Sequence, residues 1–63
     1  MCESKAYLRS PAGEELVMDD VAHLKVLDNG VELVRIDGQR KVLENVVIDE
    51  IDFIHHKLYL KKK

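Results

Sequence analysis

The chain of 63 residues has little of what usually stabilises or interrupts a small protein: one cysteine, one proline, three glycines and no tryptophan. A single cysteine cannot form a disulfide within the chain, so a disulfide framework is excluded. Domains of this size bury only about 60% of the surface of the unfolded chain, and they commonly need a metal, a disulfide or a second subunit. We therefore expect one domain over residues 1–63, stabilised by oligomerisation.

Several functional classes lack their sequence signatures. No apolar run is long enough to span a membrane, and the first residues alternate charged and apolar side chains instead of forming the core of a signal peptide. A lone thiol is typical of a reducing compartment. The sequence also has no second thiol, Gly-x-Ser-x-Gly elbow or glycine-rich phosphate loop. It predicts a cytoplasmic protein that is not an enzyme, with its acids on turns and wet faces (Glu14-Glu15, Asp19-Asp20 and Asp49-Glu50-Asp52).

Charge and aromatic content argue against nucleic acid as a partner. Ten Lys and Arg stand against twelve Asp and Glu, for a net charge of −2, whereas nucleic-acid-binding domains are basic. Only Tyr7, Phe53 and Tyr59 could stack on bases. The one cationic cluster, residues 61–63, is expected to be a frayed, solvated end.

The apolar residues favour strands, with eight Val and four Ile against three Ala. β-Branched side chains fit a pleated, half-buried surface and lose rotamer freedom in helices. Period-two alternation gives each strand one buried and one wet face, and His23 falls on a wet one. The predicted buried residues are Ala6 and Leu8, then Ala22, Leu24 and Val26, then Leu58 and Leu60.

Turn residues separate the strands at short intervals. Residues 10–13 contain the only proline, and residues 55–57 are expected to form another tight turn. Asn29-Gly30 and Asp37-Gly38 predict type I′ hairpins, in which both central residues have positive φ. The resulting strands are expected near 3–9, 14–18, 20–27, 31–36, 40–44, 46–54 and 57–61.

Residues 46–54 do not alternate cleanly, because apolar side chains occur at both parities. A bulge near Asp49-Glu50 would shift the register by one residue; alternatively, this strand is buried on both faces, with one face against a partner. Residues 43–46 are either a kink between strands or a bulge within one. The predicted fold is all-β, a small SH3-like or OB-like barrel of six or seven short antiparallel strands.

The position of the cysteine is the strongest functional signal. Cys2 stands one residue from the amino terminus, so the amine of Met1, the backbone nitrogen of Cys2 and its sulfur can form two fused five-membered chelate rings on one cation. Thiolate and nitrogen donors in planar geometry favour Ni(II) or Cu(II). The alternative interpretation is a small apolar residue that packs early in the chain.

The adjacent histidines His55 and His56 are a weaker metal signal. Imidazole suits nickel, copper and zinc, but neighbours on an extended strand point to opposite faces. One chain cannot easily direct both rings at one ion, so replacing both histidines is expected to change metal binding little.

The ordered set of motifs resembles the CooT family of small nickel-binding proteins, which are associated with maturation of carbon monoxide dehydrogenase. The resemblance covers essentially the whole chain. It consists of Met1-Cys2, a short strand ending Tyr7-Leu8, the segment Glu15-Leu16-Val17-Met18-Asp19-Asp20-Val21, two hairpins, and the closing pattern Val47-Ile48-Asp49-Glu50-Ile51-Asp52-Phe53.

This resemblance implies a cytoplasmic homodimer of small β-barrels that binds Ni(II) through Cys2, with the Met1 amine as its neighbour, and a nickel enzyme as client. Three donors leave one position of a four-coordinate site unfilled, and a second chain related by a two-fold axis could supply it. The metal would then bind at about one per dimer. The alternative functions are a small β-barrel RNA-binding protein and a non-catalytic assembly module.

Overall fold

The structure, a computed structural model, describes residues 3–63. These residues form six strands joined by turns, and no helix. The strands are β1 Ser4–Ser10, β2 Gly13–Leu27, β3 Gly30–Arg35, β4 Arg40–Glu44, β5 Val46–Asp52 and β6 Lys57–Lys62. The predicted all-β class is confirmed, with six strands. Residues 3–63 contain no helix of the length and apolar character needed to cross a membrane.

The strands form one sheet in the order β4-β3-β2-β1-β6-β5 that curls into a half-barrel. All neighbours are antiparallel except β1 and β6, which run parallel. The two edge strands, β4 and β5, are consecutive in the chain and are joined only by Asn45, which has φ 60°. Asn45 N donates to Asn29 O, and Lys63 N donates to Asn45 O, each at 2.8 Å. The sheet therefore curls until its two edges meet at one residue.

The segments expected as separate strands at 14–18 and 20–27 are one bent strand, β2. The bend lies at Asp20, whose φ is 50°, and the register with β1 shifts on both sides of the pair Ala6–Met18. Ile36 N donates to Asp20 O at 2.9 Å, and Arg35 forms ion pairs with Asp19 and Asp20. The bend lets the first half of β2 pair with β1 and the second half with β3.

The core lies on the concave face of the sheet. Its buried residues are Ala6, Met18, Val21, Val31, Leu33, Val46, Leu58 and Leu60. The predicted burial of Ala6, Leu58 and Leu60 is confirmed. The predicted burial of Ala22 and Val26 is wrong, since both are exposed and Leu24 is only half-buried. A half-barrel leaves the concave side of this part of β2 uncovered.

Both predicted glycine hairpins exist, but neither turn is type I′. Leu27 pairs with Gly30, so the β2–β3 loop is Asp28-Asn29, and neither of these residues has positive φ. In the β3–β4 loop, Gly38 N donates to Arg35 O at 2.9 Å and Arg35 N donates to Gln39 O at 2.8 Å. Gly38 has φ 93°, which fits a three-residue loop made of a type I turn and a glycine bulge.

Strand β5 contains the expected bulge, because its register with β6 shifts between Ile48 and Glu50. The strand ends at Asp52, two residues earlier than predicted. Asp52 Oδ1 accepts hydrogen bonds from the backbone nitrogens of Ile54 and His55, each at 3.0 Å. These bonds turn the chain away from the sheet, so residues 53–56 form the β5–β6 turn.

The carboxy-terminal lysines are ordered by the sheet, so the expectation of a frayed end is wrong. Lys61 and Lys62 belong to β6, and the Lys61 ammonium lies 3.5 Å from Asp49 Oδ1. The Lys63 backbone is bonded to Asn45. The pattern of charges alone could not show that this segment pairs with both β1 and β5.

Candidate functional site

An open apolar groove lies between β2 and the β5–β6 hairpin, with the start of β1 at its border. Its volume is about 410 Å³. The apolar lining comes from β2, from β5 and from the β5–β6 turn, and includes Leu24, Val26, Ile48, Ile51 and Phe53. Its polar lining residues are Ser4, His23, Asp52, His56 and Lys57.

The groove continues the core face of the sheet. Val26 pairs directly with the buried Val31, and residues directly opposite each other on paired strands share a face. Nevertheless Val26 is 66% exposed, Ile51 45% and Phe53 79%. A contiguous apolar surface of this kind marks an interaction site. The apolar residues at both parities of 46–54 were the sequence signal for it.

The predicted metal ligands Met1 and Cys2 lie outside the described residues. Ser4, two positions after Cys2 in the chain, is the first residue of β1 and lines the groove. Among residues 3–63, no three His, Asp or Glu side chains come together as a metal site.

The histidines lie around the same end of the sheet. Both His23 and His56 line the groove, and Lys5 N donates to His56 O at 3.0 Å. The His55 ring takes another partner: its Nδ1 lies 2.8 Å from Asp52 Oδ2. This bond lowers the pKa of Asp52 below its usual value, and the backbone bond from His55 adds to the effect. The two adjacent histidines therefore have different surroundings, although they lie in a turn and not on an extended strand.

A stacked aromatic cluster lies at the pairing of β1 and β6. The rings of Tyr7 and Tyr59 stack at 5.7 Å between centroids, and the Arg9 guanidinium lies 3.7 Å from the centroid of the Tyr59 ring. Lys57 Nζ lies 5.9 Å from the centroid of Tyr7. These rings are partnered within the chain, which makes them poor platforms for bases.

Arg9 is also the centre of an acidic network, so its charge is balanced. It donates to Glu14 at 3.0 Å, to Asp49 at 2.9 Å and to Glu50 at 2.8 Å. The three bonds, that to Asp49 foremost, raise the pKa of Arg9. They link the β1–β2 hairpin to the bulge of β5. These acids therefore lie on turns and solvent-exposed faces, as expected from the sequence, and they stabilise the fold.

Acid should weaken this network. The hydrogen bond from Arg9 lowers the pKa of Asp49 below its usual value, so Asp49 stabilises the fold at pH above about 3.9, the ordinary value. That contribution is lost as pH falls through the lowered folded-state pKa. We expect the melting temperature of Asp49→Asn to fall less steeply below about pH 4 than that of the unmodified protein.

Thermal unfolding followed by circular dichroism between pH 7 and pH 2 measures this difference. Asp28→Asn is the control, since Asp28 is an exposed residue of the β2–β3 loop that forms no ion pair within residues 3–63. Identical acid slopes for Asp49→Asn and the unmodified protein would show that the bond to Arg9 does not lower the pKa of Asp49.

Comparison with known proteins identifies the family. The family profile described as CO dehydrogenase accessory protein CooT matches residues 1–61. The chain belongs to the CooT family. No curated protein sequence matches this CooT-family chain. A crystal structure assigned to CooT from Carboxydothermus hydrogenoformans is 31% identical to it, with a TM-score of 0.88 over 98% of each chain.

The family assignment confirms the resemblance drawn from the sequence, and the structural match extends it to the whole fold. It gives this CooT-family chain an accessory role toward an enzyme. The groove could be predicted only in part. Apolar side chains at both parities of 46–54 indicate that both faces of this strand are covered, but they do not show which residues cover the second face. The contact between the His56 backbone and β1 had no signal in the sequence.

Proposed function

We propose that this protein is a small cytoplasmic nickel-binding accessory protein, which carries, stores or senses nickel for maturation of a nickel enzyme such as carbon monoxide dehydrogenase. The observation that carries the proposal is the match of residues 1–61 to the family of CO dehydrogenase accessory proteins. In this role the protein has no catalytic activity of its own, because a carrier binds its cargo and then releases it.

Cys2 is the proposed nickel ligand, with the amine of Met1 as its neighbour. The chelate argument supports this choice, since sulfur and nitrogen donors in planar geometry favour nickel or copper. The described part of the chain supports it indirectly. Residues 3–63 of one chain hold no cluster of three metal-binding side chains that would compete with it.

A homodimer is the proposed assembly, with the groove as its interface. Two features support it. The groove continues the core face, and four of its large apolar lining residues are 37–79% exposed, namely Val26, Ile48, Ile51 and Phe53. A two-fold interface brings like residues together. Ser4 lines the groove, so this interface brings the two amino-terminal segments toward one another.

Nickel titration of the purified protein tests the proposal. We expect a thiolate-to-nickel charge-transfer band, saturable binding and, in native mass spectrometry, a dimer that carries metal. Binding should weaken as pH falls, because a cysteine thiol with a pKa of about 8.5 must lose its proton. Absence of the band at pH 8, or sedimentation as a monomer at micromolar concentration with and without nickel, would contradict the proposal.

A charge placed in the groove should separate the two subunits. Val26→Lys puts an ammonium group in the groove, at a position that is 66% exposed in one chain. The folded chain should tolerate the change, whereas burial of an unpaired charge in the interface should destabilise the dimer. We expect dissociation to monomer at micromolar concentration, measured by sedimentation velocity.

Val42→Lys is the matched control. Val42 is 54% exposed and pairs with Glu32, one position along from the pairing of Val31 with Leu43. Successive side chains of a strand point to opposite faces, so Val42 lies on the convex face of the sheet. The Val42→Lys protein should remain dimeric. Equal dissociation of the Val26→Lys and Val42→Lys proteins would place the interface elsewhere.

The RNA-binding alternative has less support. Tyr7 and Tyr59 stack on each other, and Arg9 covers the Tyr59 ring. Arg9 is itself bonded to three carboxylates. The net charge of −2 gives no attraction for phosphate. A non-catalytic assembly module would share the dimer but would show no nickel band.

A further inference from the structure

The two edge strands of the sheet differ in what they present on the core face. Within residues 3–63, neither β4 nor β5 has a strand on its outer side, and no backbone hydrogen bond outside the ladders reaches either of them. On β5 the core-face residues are apolar, because Ile48 pairs with the buried Leu60 and Ile51 with the buried Leu58. On β4 the same face carries a lysine.

Lys41 crosses from this edge of the sheet to the first half of β2. It pairs with Leu33, which is fully buried, and residues directly opposite each other share a face. Its side chain therefore starts on the core face. Lys41 Nζ donates to the carbonyl oxygen of Val17 at 3.2 Å. Val17 is skipped in the register with β1, between the paired residues Leu16 and Met18.

Apart from Lys41, the residues of β4 are complementary to a second copy of the same strand. A two-fold axis beside the edge would pair the two copies antiparallel, so that each residue pair occurs twice. With Val42 at the axis, Arg40 of one copy faces Glu44 of the other. Lys41 then faces Leu43, and this is the pair that sets a charge against an apolar side chain.

Pairing at this edge would also change the surroundings of the Lys41 ammonium. Neighbouring strands lie about 4.8 Å apart, so core-face side chains of the added strand would stand beside Lys41. The ammonium would lose water or give up its bond to Val17, and burial of an unpaired charge is costly. Inward-pointing charges on edge strands prevent pairing between edges in natural sheets.

We propose that Lys41 is an autoinhibitory contact, which keeps the outer edge of β4 from pairing with β4 of a second copy. The partner that this edge fits is therefore the chain itself, and the lysine excludes it. The inference goes beyond the proposed function, since it concerns the edge opposite the groove and requires neither nickel nor the proposed dimer.

The test compares Lys41→Val with Lys25→Val by sedimentation velocity over a range of micromolar concentrations. Valine favours strands, so the sheet should form. Lys25 is exposed and pairs with Glu32 on β3, so its replacement removes the same charge away from the β4 edge. We expect Lys41→Val to form species larger than those of the unmodified protein, increasing with concentration, and Lys25→Val to sediment as the unmodified protein does.

Two further measurements locate the contact. Val26→Lys places a charge in the groove, so the double variant Val26→Lys, Lys41→Val should still associate, through β4. Amide hydrogen exchange followed by mass spectrometry should show that residues 40–44 of Lys41→Val gain protection as the larger species form, with the other strands unchanged.

Four outcomes would overturn the inference. They are sedimentation of Lys41→Val as the unmodified protein, equal association of Lys25→Val, disappearance of the association in the double variant, and loss of protection throughout the sheet, which would attribute the association to unfolding. None of them bears on the nickel band, so the proposed function stands or fails separately.

Discussion

Cys2→Ser is expected to abolish the thiolate-to-nickel charge-transfer band and most of the affinity for nickel. Serine has nearly the size of cysteine, but it replaces a soft sulfur by a hydroxyl that does not ionise near neutral pH. The second of the two five-membered chelate rings, which runs from the amide nitrogen of Cys2 to its sulfur, then loses its soft donor. Soft thiolate is the donor that makes this set selective, so no remaining donor compensates.

Absorption spectroscopy and isothermal titration calorimetry at pH 8 measure the loss, and far-ultraviolet circular dichroism checks the fold. Glu3→Gln is the matched control, because it changes an exposed residue next to Cys2 without touching a proposed donor. A Cys2→Ser protein that keeps the band and its affinity would place the metal elsewhere in the chain.

Gly30→Ala is expected to destabilise the fold more than any other single-methyl addition at a glycine. A Cβ atom at Gly30 would lie 2.0 Å from the carbonyl oxygen of Leu43, so the β3–β4 pairing must move apart. Overpacking costs about 1–3 kcal/mol, and strained backbone adds about 1–2. The core of a domain this small supplies only about 3–5 kcal/mol. We expect the melting temperature to fall by more than about 15 °C.

Gly38→Ala is the control for this prediction. Gly38 also has positive φ, 93°, but a Cβ atom there meets nothing within 4 Å. Only the backbone strain of about 1–2 kcal/mol remains, equivalent to a loss of about 5–15 °C. Thermal melts followed at 218 nm compare the two. Equal losses would show that contact with Leu43 is unimportant and that both effects come from φ alone.

Sequence periodicity was sufficient for the fold class but not for every turn. The β-branched content and the alternation around Ala6, Leu58 and Leu60 predicted strands whose buried faces the structure confirms. The Asn29-Gly30 pair predicted a hairpin correctly and its turn type wrongly. At Gly30 the carbonyl oxygen of Leu43 leaves no room for a Cβ atom, so this position requires glycine. That requirement comes from the tertiary structure, and a dipeptide preference does not contain it.

The metal chelate at Cys2 stays a prediction from the sequence, and the surroundings of the amino-terminal segment could not be predicted from it. A cysteine beside the amino terminus indicates a metal chelate from its position alone, since the donors are adjacent in the chain. The contact of His56 with Lys5 depends on the pairing of β1 with β6. No periodic pattern shows which strands pair in parallel, so this neighbour of the amino-terminal segment appears only in the fold.

The parallel pairing of β1 with β6 has a consequence for the order of folding. Ala6 pairs with Leu58 and Leu8 with Leu60, contacts between residues far apart in the sequence, whereas the hairpins β1–β2, β2–β3 and β3–β4 close locally. Long-range pairing must overcome the entropy of closing nearly the whole chain, which slows folding. The hairpins can form while the chain is still being made, whereas the border of the groove at Ser4 requires β6 to pair with β1.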